Sequence, residues 1–410
     1  MKGKQGMVCM GLLLVLSSCH TGKQITASGL QRKDFQTEVN GQHTDLFTLS
    51  NKQGMEVCIT NYGARVVSIL VPDRNGKRED VVCGFSTITE YMEQRQNFGS
   101  TVGRYIGRIL NARFTLDGVE YKLVPNNGKS GHISHGGNPG FADRIWKVEQ
   151  ADTHRVCLSY LSPDGENGFP GNLKVTLVYS LGEDDNALDL TYEATTDAPT
   201  VLNLSHHSFF NISGNFTKSV EDQQLWVDAD RFTPYDDKKC VTGEYLPVAG
   251  TPLDFRMPHA IGECIDADHP QLKVVNGYDH TWELNTKGDD TRPAAWVYDP
   301  ASGRKMEIFT TEPGMQIYTG NGLKGKMTGK GAPHGATRTS TPGPGALRSS
   351  RYKVYRTAIA HVGRGSAGIR DSESAPSSRS RCAASFHCCH ARSPAGMSRS
   401  RIAAMTPLCL

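Results

Sequence analysis

Histidine is the residue in this sequence best suited to chemistry near neutral pH, because imidazole gives or takes a proton without a cofactor. Three clusters of histidines stand beside glycine, asparagine or aspartate residues. Each cluster is a candidate acid–base site, and a structural or surface histidine is the alternative at each position. The clusters are His132 with His135 before Gly136 and Gly137, His206 with His207, and His280 after Asp279.

A metal centre is the second chemistry that these histidines could serve, and their spacing disfavours it. The sequence has no His-x-x-x-His pair of the kind that a helix presents to zinc. The neighbours His206 and His207 point to opposite faces of a strand. The seven cysteines before residue 331 are not closely paired. We expect no metal and, in the absence of a glycine-rich phosphate loop, no cofactor.

The elements that must position these residues are β-strands. From Phe35 to Leu323, short runs of alternating apolar residues are separated by turn residues, and no helical stripe lasts for several turns. This pattern predicts an all-β fold, a large antiparallel β-sandwich that forms one domain. The predicted strands include 56–60, 65–71, 155–161, 173–181, 187–195 and 200–204.

The clearest strand pair lies on either side of Asp117 and Gly118. Alternating runs at 114–116 and 119–123 flank this dipeptide. Asp-Gly suits the positive φ angles of a type I′ turn, so the sequence predicts a β-hairpin here.

The first residues have the features of an export signal. Lys2 and Lys4 precede an apolar run at 10–16, which is too short to span a bilayer as a mature helix. The sequence Leu-Ser-Ser-Cys that ends at Cys19 resembles the bacterial lipobox, in which the cysteine thiol receives lipid. We expect lipidation of Cys19, with an ordinary signal peptide as the alternative.

The last eighty residues differ in composition from the rest of the chain. The net charge of the whole chain is +3, but residues 331–410 hold eleven arginines and one lysine against Asp371 and Glu373. They are rich in serine, alanine, glycine and proline, and Phe386 is their single phenylalanine. Translation in a shifted reading frame explains this composition. The alternatives are a disordered tail and a basic tail that binds a polyanion.

Seven ordered motifs between residues 102 and 321 resemble those of the aldose 1-epimerases, or galactose mutarotases. Any one of them would be weak evidence, but their order and spacing together are specific. They are Val102-Gly-Arg-Tyr-Ile-Gly-Arg-Ile109, Ser134-His-Gly-Gly137, Asp164-Gly-Glu-Asn-Gly-Phe-Pro-Gly-Asn-Leu173, Asn203-Leu-Ser-His-His-Ser-Phe-Phe-Asn-Ile212, Thr251-Pro-Leu-Asp-Phe-Arg256, Gly277-Tyr-Asp-His280 and Glu312-Pro-Gly-Met-Gln-Ile-Tyr-Thr-Gly-Asn321.

The resemblance implies a sandwich of the galactose mutarotase type that interconverts the α and β anomers of a free aldose such as glucose or galactose. It implies that His207 is the acid that protonates the ring oxygen and that His135 forms a hydrogen bond near the same oxygen. Charged groups suit a ligand made of hydroxyl groups, because their hydrogen bonds are strong. The residues implied to bind the sugar are Arg108, Asp279, Gln316, Phe209 and Gly107.

Three departures from the family's pattern affect this interpretation. Gly107 and His206 stand where the family usually has asparagine. The family's catalytic glutamate belongs to a Glu-x-Gln motif that should follow Leu323, and this motif is missing. We therefore expect impaired activity, unless another glutamate such as Glu312 substitutes. The alternative function is that of a non-catalytic carbohydrate-binding lipoprotein.

The sequence thus predicts a signal peptide at 1–18, a polar tether at 19–34, a mutarotase-like sandwich at 35–330 that lacks its last strands, and a non-family tail at 331–410. We expect a monomer whose partners are a free monosaccharide and a membrane, the latter through the lipid anchor, and we expect no nucleic-acid partner. The expected location is the bacterial cell envelope, on the periplasmic or the outer-membrane face.

Overall fold

The structure is a computed structural model, and most of its regular secondary structure consists of β-strands. The α-helices of the described residues are Ile88–Gln94 and Pro270–Val275, and both are short. The all-β prediction is confirmed. The structure describes residues 25–323 and 327–334 together with the short segments 347–349, 359–360 and 402–404.

Single-turn 3-10 helices connect several of the strands. They place turns between short strands, and several of them contribute buried residues, among them Phe35, Phe141 and Ile261. Their bounds are Arg32–Phe35, Leu110–Ala112, Gly128–Ser130, Phe141–Asp143, Glu166–Gly168 and Ile261–Glu263.

The first sheet is formed by four antiparallel strands in chain order. Its third strand is rich in β-branched residues, which pack well on a pleated surface. The prediction of strands at 56–60 and 65–71 is confirmed. The four strands are Leu46–Ser50, Glu56–Thr60, Arg65–Pro72 and Arg78–Asp80.

The second sheet contains the longest strands. Leu173–Leu181 alternates buried residues with more exposed ones along its length, as expected for a strand with one face on the core. The predictions at 155–161, 173–181 and 187–195 are confirmed to within one residue at each end. The antiparallel strands run in the order Lys147–Ala151, Arg155–Ser162, Leu173–Leu181 and Leu188–Thr196.

The third sheet carries Asp279, Gln316 and Phe209, three of the residues that the sequence predicts to bind sugar. Its strands are antiparallel to their neighbours, and they come from distant parts of the chain. In spatial order they are Phe209–Phe210, Leu347–Ser349, Gly314–Tyr318, Asp279–Glu283, Arg231–Thr233 and Leu246–Pro247.

The fourth sheet has four antiparallel strands. Its apolar positions alternate with polar or aromatic ones, so one face is buried. In spatial order the strands are His259–Ala260, Gln224–Val227, Ala295–Tyr298 and Lys305–Ile308.

Two-stranded pairs complete the described fold. Asp117 and Gly118 have φ angles of 50° and 81° between the paired residues Leu116 and Val119, so the hairpin prediction is confirmed. The pairs are Glu38–Val39 with Gln42–His43, Thr101–Val102 with Ser205–His206, Arg108–Ile109 with Ile133–Ser134, Arg113–Leu116 with Val119–Lys122, Thr200–Leu202 with Ile402–Ala404, and Met327–Gly329 with Ala332–His334.

One apolar core joins the four sheets. Ile59 of the first sheet, Leu177 of the second, Trp282 of the third and Val297 of the fourth all belong to the same cluster of buried residues. Each contributes alternate side chains to the space between the sheets, as in a sandwich. The core therefore fixes the third sheet, and with it the residues on that sheet's other face.

Residues 25–34 pack against the first sheet, although the sequence predicts that they belong to a polar tether. Leu30 and Phe35 are buried, and the backbone N–H of Ser28 donates to Glu56 Oε1 at 3.2 Å. Residues 25–34 therefore cover the outer face of the first sheet, where every residue of Glu56–Thr60 is buried. The prediction of a polar tether over 19–34 is wrong for residues 25–34, because they pack on a face of the first sheet.

The tail at 331–410, which the sequence predicts to lie outside the family's sandwich, pairs with its strands at a few positions. Leu347–Ser349 pairs with two strands of the third sheet, Ile359–Ala360 pairs with the second sheet, and Ile402–Ala404 pairs with Thr200–Leu202. A sheet edge offers unpaired N–H and C=O groups to an extended chain of any sequence, so an apolar pattern is not needed. Cys19 and the predicted signal peptide lie outside the described residues.

The two described helices are too short to be membrane spans, and none of the described residues form a helix that is long and apolar enough to cross a bilayer.

Candidate active site

The strand Asp279–Glu283 separates two chemically different surfaces. Asp279 and Thr281 lie on one face of the third sheet, whereas His280 and Trp282 belong to the other face and are fully buried. The adjacent strand continues the polar face, because Gln316 pairs with Thr281 and Tyr318 pairs with Asp279. These four residues form what we call the polar face.

His280 is a core residue. It is 0% exposed, and its ring centroid lies 5.4 Å from that of Tyr235. Burial lowers the pKa of His280 to about 3, with a smaller contribution from His269, so the ring stays neutral at physiological pH. The cluster of Asp279 and His280 therefore supplies one polar-face residue and one core residue.

Hydrogen bonds order the polar face. Gln316 Nε2 donates to Asp279 Oδ1 at 2.7 Å and lies 3.4 Å from Tyr235 Oη. The hydroxyl of Thr281 donates to Gln316 Oε1. Asp279 and Gln316, both predicted to bind sugar, are thus joined directly, and the carboxylate is held by an amide.

A row of aromatic rings runs from the polar face to the histidines. Ring centroids are 5.8 Å apart for Tyr318 and Phe209, 5.4 Å for Phe209 and His207, and 5.3 Å for His207 and His135. The structure therefore brings both predicted catalytic histidines together, with Phe209 beside them.

His207 is fixed through its backbone. Its N–H donates to Ser100 O at 2.8 Å, and its carbonyl accepts from Gly99 N–H at 3.0 Å. The residue is 3% exposed. Because the backbone is held on both sides, the imidazole has a defined position against His135 and Phe209.

His206 faces the core, which settles a question that the sequence left open. Its Nδ1 lies 3.2 Å from Tyr179 Oη and its Nε2 lies 2.8 Å from Ser208 Oγ. Burial, with a smaller effect of the Arg65 charge, lowers the pKa of His206 to about 3. His206 therefore does not compensate for a missing asparagine in the site.

His135 and Gly107 form a reciprocal contact. The N–H of His135 donates to Gly107 O at 2.8 Å, and the N–H of Gly107 donates to His135 Nδ1 at 3.2 Å. Since Nδ1 accepts, the proton of the neutral ring sits on Nε2. Gly107 was predicted to bind sugar, and its contribution in the structure is to fix the tautomer of His135.

Gly136 lets the loop after His135 approach the chain closely. A Cβ atom at Gly136 would lie 2.0 Å from Gly103 O, and its φ of +80° favours glycine. His135 itself has a φ of 55°. The loop that carries the imidazole is therefore set by backbone contacts that a larger residue at 136 would disrupt.

Arg108 lies beside the site and contacts a neighbouring turn. Its Nη1 donates to Lys239 O at 2.7 Å, and its strand pairs with Ser134, the residue before His135. Lys239 belongs to the turn closed by the bridge between Tyr235 and Val241. The structure thus places Arg108 between the histidine loop and the turn that follows Tyr235.

His132 has a structural role. It is 1% exposed, and its Nδ1 accepts from Asn111 N–H at 3.0 Å. In the first histidine cluster, therefore, His135 belongs to the candidate site and His132 supports the neighbouring turn. Across residues 25–323 and the other described segments, no three histidine, cysteine, aspartate or glutamate side chains are grouped so as to hold a metal ion.

Sequence reasoning missed Thr281, Tyr318 and Tyr235. Alternation could have revealed Thr281, which follows Asp279 by two residues and shares its face. Tyr318 likewise follows Gln316 by two residues. No local signal marks Tyr235, because its contact with Gln316 depends on how distant strands pair.

Comparison with known proteins identifies the family. The family model described as aldose 1-epimerase matches residues 45–344. A galactose mutarotase from Sus scrofa is 39% identical over 284 residues, which cover 69% of this chain and 80% of that protein. This chain belongs to the aldose 1-epimerase family.

Other relatives agree with this assignment. The aldose 1-epimerase of Escherichia coli K12 is 36% identical over 286 residues, which cover 70% of this chain and 81% of that protein. The crystal structure of a galactose 1-epimerase from Lactobacillus acidophilus superposes with a TM-score of 0.65 at 28% identity, covering 77% of this chain and 88% of that one. Members of the aldose 1-epimerase family are isomerases, and the sandwich of this chain is theirs.

Proposed function

We propose that this epimerase interconverts the α and β anomers of a free aldose such as glucose or galactose. The observation that carries the proposal is the edge-to-face pair of His135 and His207, which stands beside the polar face that contains Asp279 and Gln316. Proton donors and hydroxyl-binding groups are thus adjacent, as ring opening of a bound sugar requires.

The chemistry needs two proton transfers. A base takes the proton of the anomeric hydroxyl while an acid protonates the ring oxygen, so that the bond between C1 and the ring oxygen breaks. The open aldehyde rotates and recloses on its other face. We assign the acid to His207. The Nε2–H of His135 donates a hydrogen bond to the same oxygen, and Asp279 and Arg108 hold sugar hydroxyls.

We further propose that this chain is impaired because the base is missing. Leu347, Arg348 and Ser349 form the strand between the one that carries Phe209 and the one that carries Tyr318, and none of them has a carboxylate. Asp371 and Glu373 are the remaining acidic residues of the tail, and they lie outside the described residues.

Glu312 is poorly placed to substitute for that base. It precedes Gly314, which pairs with Glu283 at one end of the polar face, whereas Tyr318 pairs with Asp279 at the other end. The four steps of extended strand from Gly314 to Tyr318 span about 13 Å. Glu312 lies before Gly314 in the chain, at the end away from Tyr318.

Sugar binding without catalysis is a second candidate function. The ordered contacts between Asp279, Gln316 and Thr281 do not depend on the missing base. A chain that keeps these groups and loses the base would bind an aldose and leave its anomers unchanged.

Polarimetry on freshly dissolved α-glucose and α-galactose tests the proposed function. A version of the chain with its reading frame restored should raise the mutarotation rate well above that of buffer. Buffer rates with every common aldose would contradict epimerase activity. Sugar binding under those conditions would favour the second candidate.

We propose that the protein is attached to the bacterial cell envelope through lipid on Cys19, on the periplasmic or the outer-membrane face. The support is the lipobox-like sequence that ends at Cys19. In detergent phase partitioning, the protein should enter the detergent phase, and the Cys19→Ala variant should stay in the aqueous phase. Equal partitioning of the two would contradict lipid anchoring.

A further inference from the structure

Thr281 occupies a central position on the polar face. It is 7% exposed and stands directly opposite Gln316, with Asp279 two residues away on the same face. Its backbone is held as well, because Thr233 on the next strand pairs with it. The hydroxyl is therefore presented to Gln316 from a fixed backbone.

The chemistry of the three side chains decides which way the amide points. An ionised carboxylate only accepts hydrogen bonds, so the Nε2 end of Gln316 must face Asp279. The Oε1 end then faces Thr281, whose hydroxyl must donate to it. The reverse orientation would place an amide oxygen against the carboxylate.

We propose that Thr281 is a positioning residue for sugar binding, acting through Gln316 on the carboxylate of Asp279. The proposal rests on the proposed function, because its effect is measured on an aldose. Thr281 fixes the orientation of the Gln316 amide, and this amide donates to Oδ1 of Asp279. The carboxylate can then accept a hydrogen bond from a sugar hydroxyl without reorganisation.

The first test observes the amide without any sugar. In the full 410-residue chain, the side-chain amide signals of Gln316 are assigned by their loss in Gln316→Ala. The Thr281→Val variant keeps the shape of the side chain and removes the hydroxyl. We expect the amide signals to shift and broaden in Thr281→Val and to return towards the original positions in Thr281→Ser.

The second test measures the affinity for galactose by titration calorimetry with the same chain. Loss of one hydrogen bond that orders a charged group should raise the Kd about tenfold in Thr281→Val. Thr281→Ser should restore most of the affinity. Thr60→Val serves as the matched control, because Thr60 is a buried strand threonine of the first sheet.

A double-mutant cycle separates positioning from a general structural effect. In a Gln316→Ala background, Thr281→Val should cause no further loss of affinity, because Thr281 acts through the amide. The same loss in both backgrounds would overturn the proposal, and so would unchanged amide signals in Thr281→Val. A shift of the amide signals with unchanged affinity would also overturn it.

Failure of the proposed function would give a different result. A chain that neither binds galactose nor accelerates its mutarotation when the reading frame is restored contradicts the proposed function. The amide signals of Gln316 would still show whether Thr281 fixes the amide, since that measurement uses no sugar.

Discussion

The imidazole rings of His135 and His207 lie edge to face, with their centroids 5.3 Å apart. The contact joins two strand pairs that are distant in sequence, since His135 follows Ile133–Ser134 and His207 follows Ser205–His206. Because Gly107 fixes the tautomer of His135, the proton on Nε2 is the one that this ring can donate. His135 therefore presents a defined donor beside His207.

His207→Ala should lower kcat about a hundredfold or more in a version with a restored reading frame, which is the usual scale for the loss of a general acid. KM should change less, because the proton is needed mainly while the ring bond breaks. The exposed His154 supplies the control, and His154→Ala should leave both constants unchanged. A variant that keeps the original kcat would remove His207 from the acid's role.

Gly136→Ala should lower kcat at least about tenfold in the same version, because a small displacement of a catalytic group is costly. The added Cβ would lie 2.0 Å from Gly103 O, so the loop that carries His135 must move. Gly131 also has a positive φ, at +70°, but a Cβ there meets nothing within 4 Å. Gly131→Ala should therefore lose some thermal stability and keep its kcat. Equal kinetics for the two variants would show that the loop does not set the position of His135.

His206→Asn should flatten the dependence of stability on pH. The pKa of His206 is lowered from 6.5 to about 3 in the folded chain. Below pH 6.5, therefore, His206 binds a proton in the unfolded chain but stays neutral in the folded chain. The contribution of neutral His206 to stability is thus complete above pH 6.5 and is lost as the pH falls towards 3. Between pH 7.5 and 5.0 this loss is about 2 kcal/mol.

Urea unfolding at those two pH values measures the difference. Asparagine cannot take up the proton, so the fall in unfolding free energy should be about 2 kcal/mol smaller in His206→Asn. His154→Asn, at an exposed position, should behave like the unaltered chain. If His206→Asn loses as much stability on acidification as the unaltered chain, then His206 is protonated in the folded state.

Local patterns in the sequence predicted a large part of the fold. Alternation at Leu173–Leu181 and the Asp117-Gly118 turn are encoded within a few residues, and both are found where expected. The cover that residues 25–34 form on the first sheet was not predicted. Few of those residues are apolar, and the sheet face that they cover comes from a later part of the chain.

In the candidate site, too, local patterns were predicted and contacts between distant segments were missed. His135, His207, Asp279, Gln316 and Phe209 were predicted from motifs, and the structure brings them together. The contact that orients Gln316 was missed because it depends on which strands pair and in what register. A sequence does not specify this, since threonine in a strand is also typical of a half-buried surface.

The 410-residue chain should have little or no mutarotase activity, whereas a version with the reading frame restored after residue 330 should be active. The family's glutamate is absent, and the strand between Phe209 and Tyr318 consists of Leu347, Arg348 and Ser349. With no carboxylate among these three residues, we expect that no group of the described residues takes the anomeric proton while His207 protonates the ring oxygen. Loss of a positioned base commonly lowers a rate by about 10² to 10⁴.

The comparison must be made per folded molecule, because replacing residues 331–410 also changes the strands that pair with the sheets. Lys330 Nζ donates to Asp80 Oδ2 at 2.6 Å, so the chain is still attached to the first sheet at this point. Under the expected shift of reading frame, the strands beyond it would protect the sheet edges poorly and favour aggregation. Thermal unfolding and size-exclusion chromatography give the folded fraction, and polarimetry then gives the rate for each folded molecule. Equal rates for the two versions would place the base elsewhere in residues 25–330 and would refute the assignment of impairment to the altered end.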